Sequence, residues 1–261
     1  GSFGKVDAAK LRVDVEATLN DGGLLAFLAR QALKTSCGPF RIGESETPLG
    51  AKRHAPALVL PLGRTLPQYA TGEVRIVGSW SLAWLDDETV DLLAFPWGVV
   101  DRKHPLSRPL FEPLLFAAAL AASGECGGRQ VVLHVVDAKG LVALPLAGLA
   151  SDGQQARAYL GSLATDFLDV ACAEILPFDG LDKEFSGIFR ADDLGDLPEK
   201  LLDRWQGFAA EGSWGFGEDK LNTLSAAGFC VPTDAAEKLR RRLRPLYLML
   251  PPPATKNGDD A

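Results

Sequence analysis

Short apolar runs alternate with polar turn signals in the central part of the chain, and this pattern predicts a sheet. Val74–Val77, Leu82–Leu85 and Val90–Phe95 are apolar runs of strand length, and the acidic segment Asp86–Thr89 separates the last two. Such spacing is typical of a twisted antiparallel hairpin that is closed by a polar turn. We therefore expect the first sheet strands between residues 74 and 95.

A buried helix and a second hairpin are predicted to follow. The run Leu110–Ala122 is rich in Leu, Ala and Phe and ends at Ser123-Gly124, as helices often do. Val131–Val136 and Leu141–Leu144 then flank Asp137–Gly140, a segment of favoured turn residues. The sequence thus predicts that the helix packs on a sheet to which this second hairpin contributes.

Helical periodicity predicts the elements at both ends of the chain. Ser151–Ala173 is expected to form a long amphipathic helix with Ser151 as its N-cap. Three further ranges have helical spacing: Val6–Leu33, Pro198–Phe208 and Thr233–Leu248. Val6–Leu33 is expected to form two helices or one broken helix.

The segment Cys37–Tyr69 contains many Gly and Pro residues and is interpreted as a long loop that feeds one short strand, Ala57–Leu62. No internal repeat or change of composition requires a second domain. We predict a single α/β domain over residues 1–250, with a mixed central sheet flanked by helices, and a disordered tail over residues 251–261.

Composition and charge limit the function classes. Apolar residues make up 47% of the sequence and charged residues 23%, which is typical of a folded globular protein. The longest apolar run, Leu114–Ala122, is too short to cross a bilayer, so no membrane association is expected. The net charge of −7 argues against nonspecific duplex binding by the domain alone, because such binding relies on many Lys and Arg contacts with phosphates.

The cysteines are too far apart for a metal or disulfide framework and are expected to be buried thiols in a reducing, cytoplasmic compartment: Cys37, Cys126, Cys172 and Cys230. The histidines are scattered and have no recognisable nucleophile context: His54, His104 and His134. The Gly-rich segment Gly212–Glu218 lacks the lysine of a phosphate-binding loop. We therefore expect no cofactor and no metal.

Two Asp-x-Lys triplets, Asp101–Lys103 and Asp137–Lys139, have the spacing with which metal-dependent nucleases hold a metal and activate water. That chemistry needs a second acid on a neighbouring strand, after a Gly-led turn. Gly78 is instead followed by Ser79-Trp80-Ser81, and Leu92–Phe95 carries neither an acid nor a lysine. Both triplets are better explained as loop or turn residues, and no catalytic residue is predicted.

An active nuclease remains the alternative. It would pair Asp101 or Asp137 with a distant acid such as Glu112 or Asp91. A binding module unrelated to DNA repair is the second alternative.

One basic cluster supplies the candidate contact residues. Four arginines lie near the end of the last predicted helix, where the helix dipole favours cations: Arg240, Arg241, Arg242 and Arg244. A solvated helix face is favoured over a DNA patch, but these are the candidate partner or DNA contacts. Trp80 and Trp84 are separated by an even number of residues and are expected on one face of a strand.

Several stretches, in this order, resemble the C-terminal domain of RecC, a subunit of the RecBCD helicase-nucleases (exodeoxyribonuclease V). They are Gly1–Gly4, Val74–Trp80 with Leu92-Leu93, Pro109–Gly124, Val131–Val136 with Leu144–Leu146, Ala156–Leu160 with Leu163, Leu176-Pro177, Gly217-Glu218 and Leu246-Tyr247. Each motif alone is weak, and the resemblance depends on their order from Gly1 to about Leu250.

This resemblance implies a restriction-endonuclease-like, PD-(D/E)xK fold that has lost its catalytic residues. It also implies assembly with RecB-like and RecD-like subunits and contact with DNA within the full complex, and we expect DNA contact by the isolated domain to be weak or absent. The domain is then expected to be a scaffold with no enzymatic activity of its own, in double-strand break repair and homologous recombination.

Overall fold

The chain folds around a six-stranded mixed sheet with helices on both faces. The structure, a computed structural model, describes residues 24–32, 36–43, 53–69, 71–94, 108–137, 140–169 and 234–251. The strands are β1 (Ser36–Ile42), β2 (Arg53–Ala55), β3 (Leu58–Pro61), β4 (Glu73–Ile76), β5 (Gly78–Leu85), β6 (Thr89–Ala94), β7 (Gln130–Asp137) and β8 (Gly140–Pro145). The helices are α1 (Leu24–Ala32), α2 (Arg108–Ala122), α3 (Gly153–Leu168) and α4 (Ala235–Tyr247), and a 3-10 turn covers Gly148–Ala150.

The strand order in the main sheet is β2-β1-β5-β6-β7-β8. Strands β1, β5 and β6 are antiparallel neighbours, and β7 runs parallel to β6 after the chain has crossed over through α2. Strand β8 returns antiparallel to β7. The predicted mixed α/β architecture is therefore confirmed.

The predicted hairpin at the centre of the sheet is formed by β5 and β6. The Asp86 carboxylate closes its turn by accepting hydrogen bonds from the backbone amides of Glu88 at 2.8 Å and Thr89 at 2.6 Å. All residues from Val90 to Ala94 are buried, as expected for a strand that is covered on both faces. The earlier run Val74–Val77 does not join this hairpin, because β4 pairs with β3 in a separate two-stranded sheet.

The long loop predicted over Cys37–Tyr69 is wrong in its first half. Strand β1 pairs antiparallel with β5 and parallel with β2, so two strands of the main sheet lie in that segment. The sequence of β1 includes Gly38-Pro39, which disfavours a strand locally, but Phe40 and Ile42 are buried when β5 is its neighbour. The strand expected within Ala57–Leu62 is confirmed as β3.

The predicted buried helix is confirmed as α2. The chain turns after its C-terminal end at Gly124, which has a φ of 83°. The alanines of α2 allow α3 to approach closely. A Cβ atom added to Gly153 would lie only 2.6 Å from the carbonyl oxygen of Ala121, so α3 can begin here only without a side chain at that position.

Helix α3 is shorter than predicted and has a different N-cap. It spans Gly153–Leu168, and the Asp152 carboxylate accepts hydrogen bonds from the amides of Gln154 and Gln155 at 3.0 and 2.9 Å. The Ser151 hydroxyl instead donates to the Gly148 carbonyl. Asp152 is the better cap because its oxygen reaches two otherwise unpaired amides of the first turn.

The second predicted hairpin is confirmed as β7 and β8, in which Asp137 pairs with Gly140. The helix expected over Thr233–Leu248 is confirmed as α4, with Ala235 as its first residue. The helices predicted before Leu24 and over Pro198–Phe208 lie outside the described residues, as does the tail beyond Pro251. In the described part of the chain, no helix is long and apolar enough to span a membrane.

Candidate functional site

Strand β5 contains a bulge that places its two tryptophans on opposite faces of the sheet. Gly38 pairs with Ala83 and Phe40 with Trp80, so two steps along β1 match three along β5. Because one extra residue reverses the side to which the following side chains point, the prediction that Trp80 and Trp84 share a face is wrong. Trp84 packs edge-on against Phe27 of α1, at a centroid distance of 5.5 Å.

Trp80 lies on the α2 side, two residues after Gly78, where the sequence analysis looked for a second acid and found none. Its indole Nε1 donates to the carbonyl oxygen of Leu93 at 3.1 Å, and its ring stacks on Phe116 at 5.8 Å. The phenyl ring of Phe40 packs edge-on against the same Phe116 ring at 6.3 Å. An aromatic cluster of Phe40, Trp80 and Phe116 therefore packs between the sheet and α2.

An open cleft of about 490 Å³ lies over this aromatic cluster, between the start of β5, α2 and α3. Its walls are mainly apolar, and the side chains of Val77 and Phe167 are 60% and 76% exposed. Glu112 is the only acid among the described residues that line it. A divalent cation prefers several oxygen ligands, so the described walls offer poor metal coordination.

A buried polar cluster lies on the opposite face, where Asp91 of β6 meets His134 of β7. Asp91 Oδ1 lies 2.7 Å from His134 Nε2, and both side chains are nearly inaccessible to solvent. Asp91 Oδ2 accepts hydrogen bonds from Gln31 Nε2 at 3.1 Å and from the Thr89 hydroxyl at 3.2 Å. The carboxylate thus connects two strands to α1.

This cluster is not fully satisfied within the described residues. His134 Nδ1 and Gln31 Oε1 are buried and have no hydrogen-bond partner there. The His134 ring packs against Phe27 with a centroid distance of 4.2 Å. Because unpaired buried polar atoms are costly, the contacts of Asp91 with His134 Nε2 and Gln31 Nε2 are important for stability. Its contacts indicate a role in fixing α1 on the sheet.

Of the acids named for an active nuclease, the structure describes the side chains of Asp91 and Glu112, which lie on opposite faces of the sheet. Asp91 is buried in the cluster with His134, whereas Glu112 is exposed on α2 at the apolar cleft. Asp137 ends β7, and Asp101–Lys103 and Lys139 lie outside the described residues. Within the ranges that the structure describes, no group of three His, Cys, Asp or Glu side chains could hold a metal ion.

The four candidate arginines lie on α4, where some of them bind a carboxylate of α3 and some line a groove. Arg241 donates to both carboxylate oxygens of Asp166, at 2.9 and 2.7 Å, and Arg242 donates to Oδ2 at 3.1 Å. Arg240, Arg241 and Arg244 line a groove between α3 and α4, which does not include Arg242. The basic cluster is therefore both a structural junction and a groove wall.

Burial around this junction changes the acid–base properties of its side chains. Desolvation raises the pKa of Asp166, but the hydrogen bonds and charges of Arg241 and Arg242 outweigh it, so the pKa lies below its usual value. Burial raises the pKa of Tyr159, whose hydroxyl donates to the Arg242 carbonyl at 2.6 Å. Tyr159 and Asp166 thus join α3 to α4 as a neutral donor and an anion.

One of the predicted buried thiols is confirmed. Cys126 is buried, and desolvation raises its pKa to about 11, so it stays protonated near neutral pH. The side chains of Cys37, Cys172 and Cys230 lie outside the described part of the chain.

Sequence reasoning missed the contact between Asp91 and His134. Each interrupts an otherwise apolar strand, Val90–Ala94 and Val131–Val136, and each strand is central in the sheet. A polar residue inside an apolar run of a buried strand is the signal that could have identified them. Their partnership depended on the parallel register of β6 and β7, in which His134 lies opposite Leu93.

Comparison with known proteins gives no relative. No family model matches the chain, and no curated protein or solved structure matches it.

Proposed function

We propose that this chain is a non-catalytic, nuclease-like scaffold domain of a RecBCD-type helicase-nuclease, similar to the C-terminal domain of RecC. In that role it holds RecB-like and RecD-like subunits and helps to guide unwound strands during double-strand break repair. The proposal has its origin in the ordered sequence motifs, and the contacts at the Gly78-led hairpin are its main structural support.

The observation that carries the proposal is the placement of Trp80. In a metal-dependent nuclease, the strand after the Gly-led turn supplies a carboxylate to the metal. Here the side chain beside β6 is an indole that donates to the Leu93 carbonyl and stacks on Phe116. A packed aromatic cluster supports a structural role for this edge, because it leaves a donor and apolar surface where anionic ligands are needed.

The order of elements also supports the proposal. Helix α1, the antiparallel strands β1, β5 and β6, the crossover helix α2 and the parallel strand β7 follow one another around the sheet. This arrangement is compatible with the mixed sheet and flanking helices of a restriction-endonuclease-like core. Fold alone does not establish function, so the assignment depends on the site as well.

Two measurements on the full chain test the proposal. Affinity-tagged protein is mixed with the RecB-like and RecD-like subunits encoded in the same genome, and complex formation is followed by size-exclusion chromatography. The same protein is incubated with linear DNA and Mg²⁺ or Mn²⁺. We expect a stable complex and no DNA cleavage above a buffer control.

Failure to bind either subunit would overturn the scaffold role. Cleavage that Asp137→Ala abolishes, and that the control Asp87→Ala leaves unchanged, would establish the alternative nuclease function. Asp87 is a suitable control because it is an exposed acid in the β5–β6 turn.

A further inference from the structure

Strand β8 forms one outer edge of the six-stranded sheet, and its hydrogen bonds show which backbone groups face outward. The Leu146 amide donates to a carbonyl of β7 at 2.8 Å, whereas the next amide, that of Ala147, points away from β7 and donates to the Met249 carbonyl at 3.0 Å. Residues of an antiparallel strand alternate in this way between its two sides. The register of β8 with β7 therefore directs the amides of Leu141 and Ala143 outward.

This part of the edge is anchored on both faces and has no strand beside it. Leu141 packs against the apolar cluster that includes Phe27 of α1, and Leu144 packs against the large cluster on the α2 face. Ala143 and Pro145 are exposed. In the described part of the chain, β7 is the only strand that pairs with β8. Because Pro145 has no N–H, the amides of Leu141 and Ala143 are the donors that this edge offers.

The two edges of the sheet differ in their protection against strand pairing. Strand β2 at the opposite edge has three residues, and one of them is Arg53. Short edge strands and charged side chains are the means by which proteins prevent unwanted pairing. Strand β8 has six residues, Gly140–Pro145, and none of them is charged. It is therefore the edge that is suited to accept another strand.

A second copy of β8 matches the hydrogen-bonding groups of this edge. In an antiparallel pair centred on Val142, Leu141 of each copy lies opposite Ala143 of the other. These residues exchange both backbone hydrogen bonds, which gives four bonds around the two-fold axis. A pair centred on Ala143 would instead place Leu141 opposite Pro145, which cannot donate. The centre at Val142 is therefore the better match.

The side chains of β8 also allow self-pairing. The Val142 side chains of the two copies lie side by side, and β-branched side chains pack well on a pleated surface. Like charges, which oppose self-association, do not occur in β8. Gly140 of one copy lies opposite Leu144 of the other, so the paired segment ends before Ala147, whose amide already has an acceptor. The pairing thus needs none of the backbone groups that are bonded within the chain.

We propose that the β8 edge pairs with the β8 edge of a second copy of this chain, antiparallel and centred on Val142, and joins the two six-stranded sheets into one. This inference does not depend on the scaffold function. Four backbone hydrogen bonds and a short apolar contact form a small interface, so we expect association that depends on concentration.

The main test measures the mass of the full chain by sedimentation equilibrium between about 1 µM and about 500 µM, the range in which weak dimers form. At about 0.15 M salt, the long-range repulsion between two chains of net charge −7 is screened. We expect the mass to rise with concentration from that of one chain toward that of two. The mass of a single chain at every concentration would overturn the proposal.

Ala143→Pro removes an outward amide from each copy and leaves the bonds of β8 to β7 in place. Because two of the four bonds between the copies are lost, we expect the dissociation constant to rise at least about tenfold. Ala143→Lys serves if the proline variant does not fold, since an edge lysine opposes strand pairing. Val59→Lys, at an exposed apolar residue of β3, is the matched control and should associate as wild type does.

Circular dichroism checks the folding of each variant. Unchanged association of the folded Ala143 variants would show that β8 is not the contact. A wild-type chain that stays monomeric, with weaker binding of Ala143→Pro to a RecB-like subunit, would assign the edge to a partner strand. That result would overturn the second copy as the occupant and leave the scaffold function standing.

Disulfide cross-linking tests the register. In a pair centred on Val142, the two Val142 Cα atoms lie about 4.5 Å apart, within the range that a disulfide bridges. We expect Val142→Cys to form a covalent dimer on mild oxidation, in excess of wild type and of Val59→Cys, as measured on non-reducing gels. Equal cross-linking in all three proteins would overturn the proposed pairing.

Discussion

The two faces of the six-stranded sheet are covered in different ways. On one face, α2, α3 and α4 pack in a large apolar cluster that includes Leu92, Leu114 and Leu133. On the other, the described cover is the nine-residue helix α1, whose buried apolar cluster is limited to Leu24, Phe27, Trp84 and Leu93.

The smaller face contains a buried carboxylate that lies against the sheet. Asp91 binds Gln31 of α1 and His134 of β7 directly beside the small apolar cluster. A helix of this length is unstable alone and buries little surface, so directional contacts are needed to fix its position. The comparison teaches that a broad apolar contact positions its helices by shape, whereas a narrow one depends on specific polar pairs.

The largest expected effect is the loss of core packing on the α2 face. Leu114→Ala removes a fully buried side chain from the large cluster and should lower the free energy of unfolding by about 4 kcal/mol. Leu24→Ala on α1 should cost about 2 kcal/mol, because a short helix at a small cluster can shift to close the cavity. Urea denaturation followed by circular dichroism measures both. Equal losses would remove the distinction between the faces.

The next effect concerns the polar pair that fixes α1. Asp91→Ala should lower the free energy of unfolding by about 3 kcal/mol, since it leaves His134, Gln31 and Thr89 without their shared acceptor. The exposed Asp87→Ala in the same hairpin should change it by less than about 0.5 kcal/mol. Hydrogen exchange of the α1 amides should rise in the Asp91 variant. If the two variants were equally stable, the polar cluster would have no structural role.

A smaller effect is expected at the outer edge of the α2 face, where α3 and α4 are joined through Asp166. Asp166→Asn should cost about 2 kcal/mol at neutral pH, because two arginines lose a charged acceptor. The folded-state pKa of Asp166 is lowered, so its contribution is complete above the ordinary carboxyl pKa of about 3.9 and is lost as the pH falls through the lower folded value.

The stability difference between wild type and Asp166→Asn should therefore be constant from neutral pH to about pH 4 and shrink below it. Glu88→Gln, at an exposed acid of the β5–β6 turn, is the matched control and should show little difference at any pH. A difference that persisted unchanged below about pH 3 would show that the charge of Asp166 is not what joins the helices.

Local patterns were sufficient for the elements that have strong periodicity or strong turn signals. The hairpins at β5–β6 and β7–β8, the apolar helix α2 and helix α4 were all predicted within a few residues. Strand β1 was missed because Gly38-Pro39 weakens its local signal, and its strand conformation depends on pairing with β5. The N-cap was assigned to Ser151 and not to Asp152, a choice between two good capping residues that only hydrogen-bond geometry decides.

The candidate site was predictable only in part. The sequence alone drew attention to the arginines of α4 and to the strand after Gly78, where Ser79 and Trp80 stand in place of an acid. It could not give the carboxylate that Arg241 and Arg242 share, because Asp166 is 75 and 76 residues away along the chain.

The sequence by itself determined an acidic, mixed α/β chain and the types of its main elements, because hydrophobic periodicity and turn chemistry act over a few neighbouring residues. The tertiary structure alone decided which face each side chain occupies and which polar groups meet. A single bulge in β5 sends Trp80 to Phe116 and Trp84 to Phe27, and the register of β6 and β7 brings Asp91 to His134. Such choices depend on pairing between distant strands, since a shift of one residue exchanges the two faces of a strand.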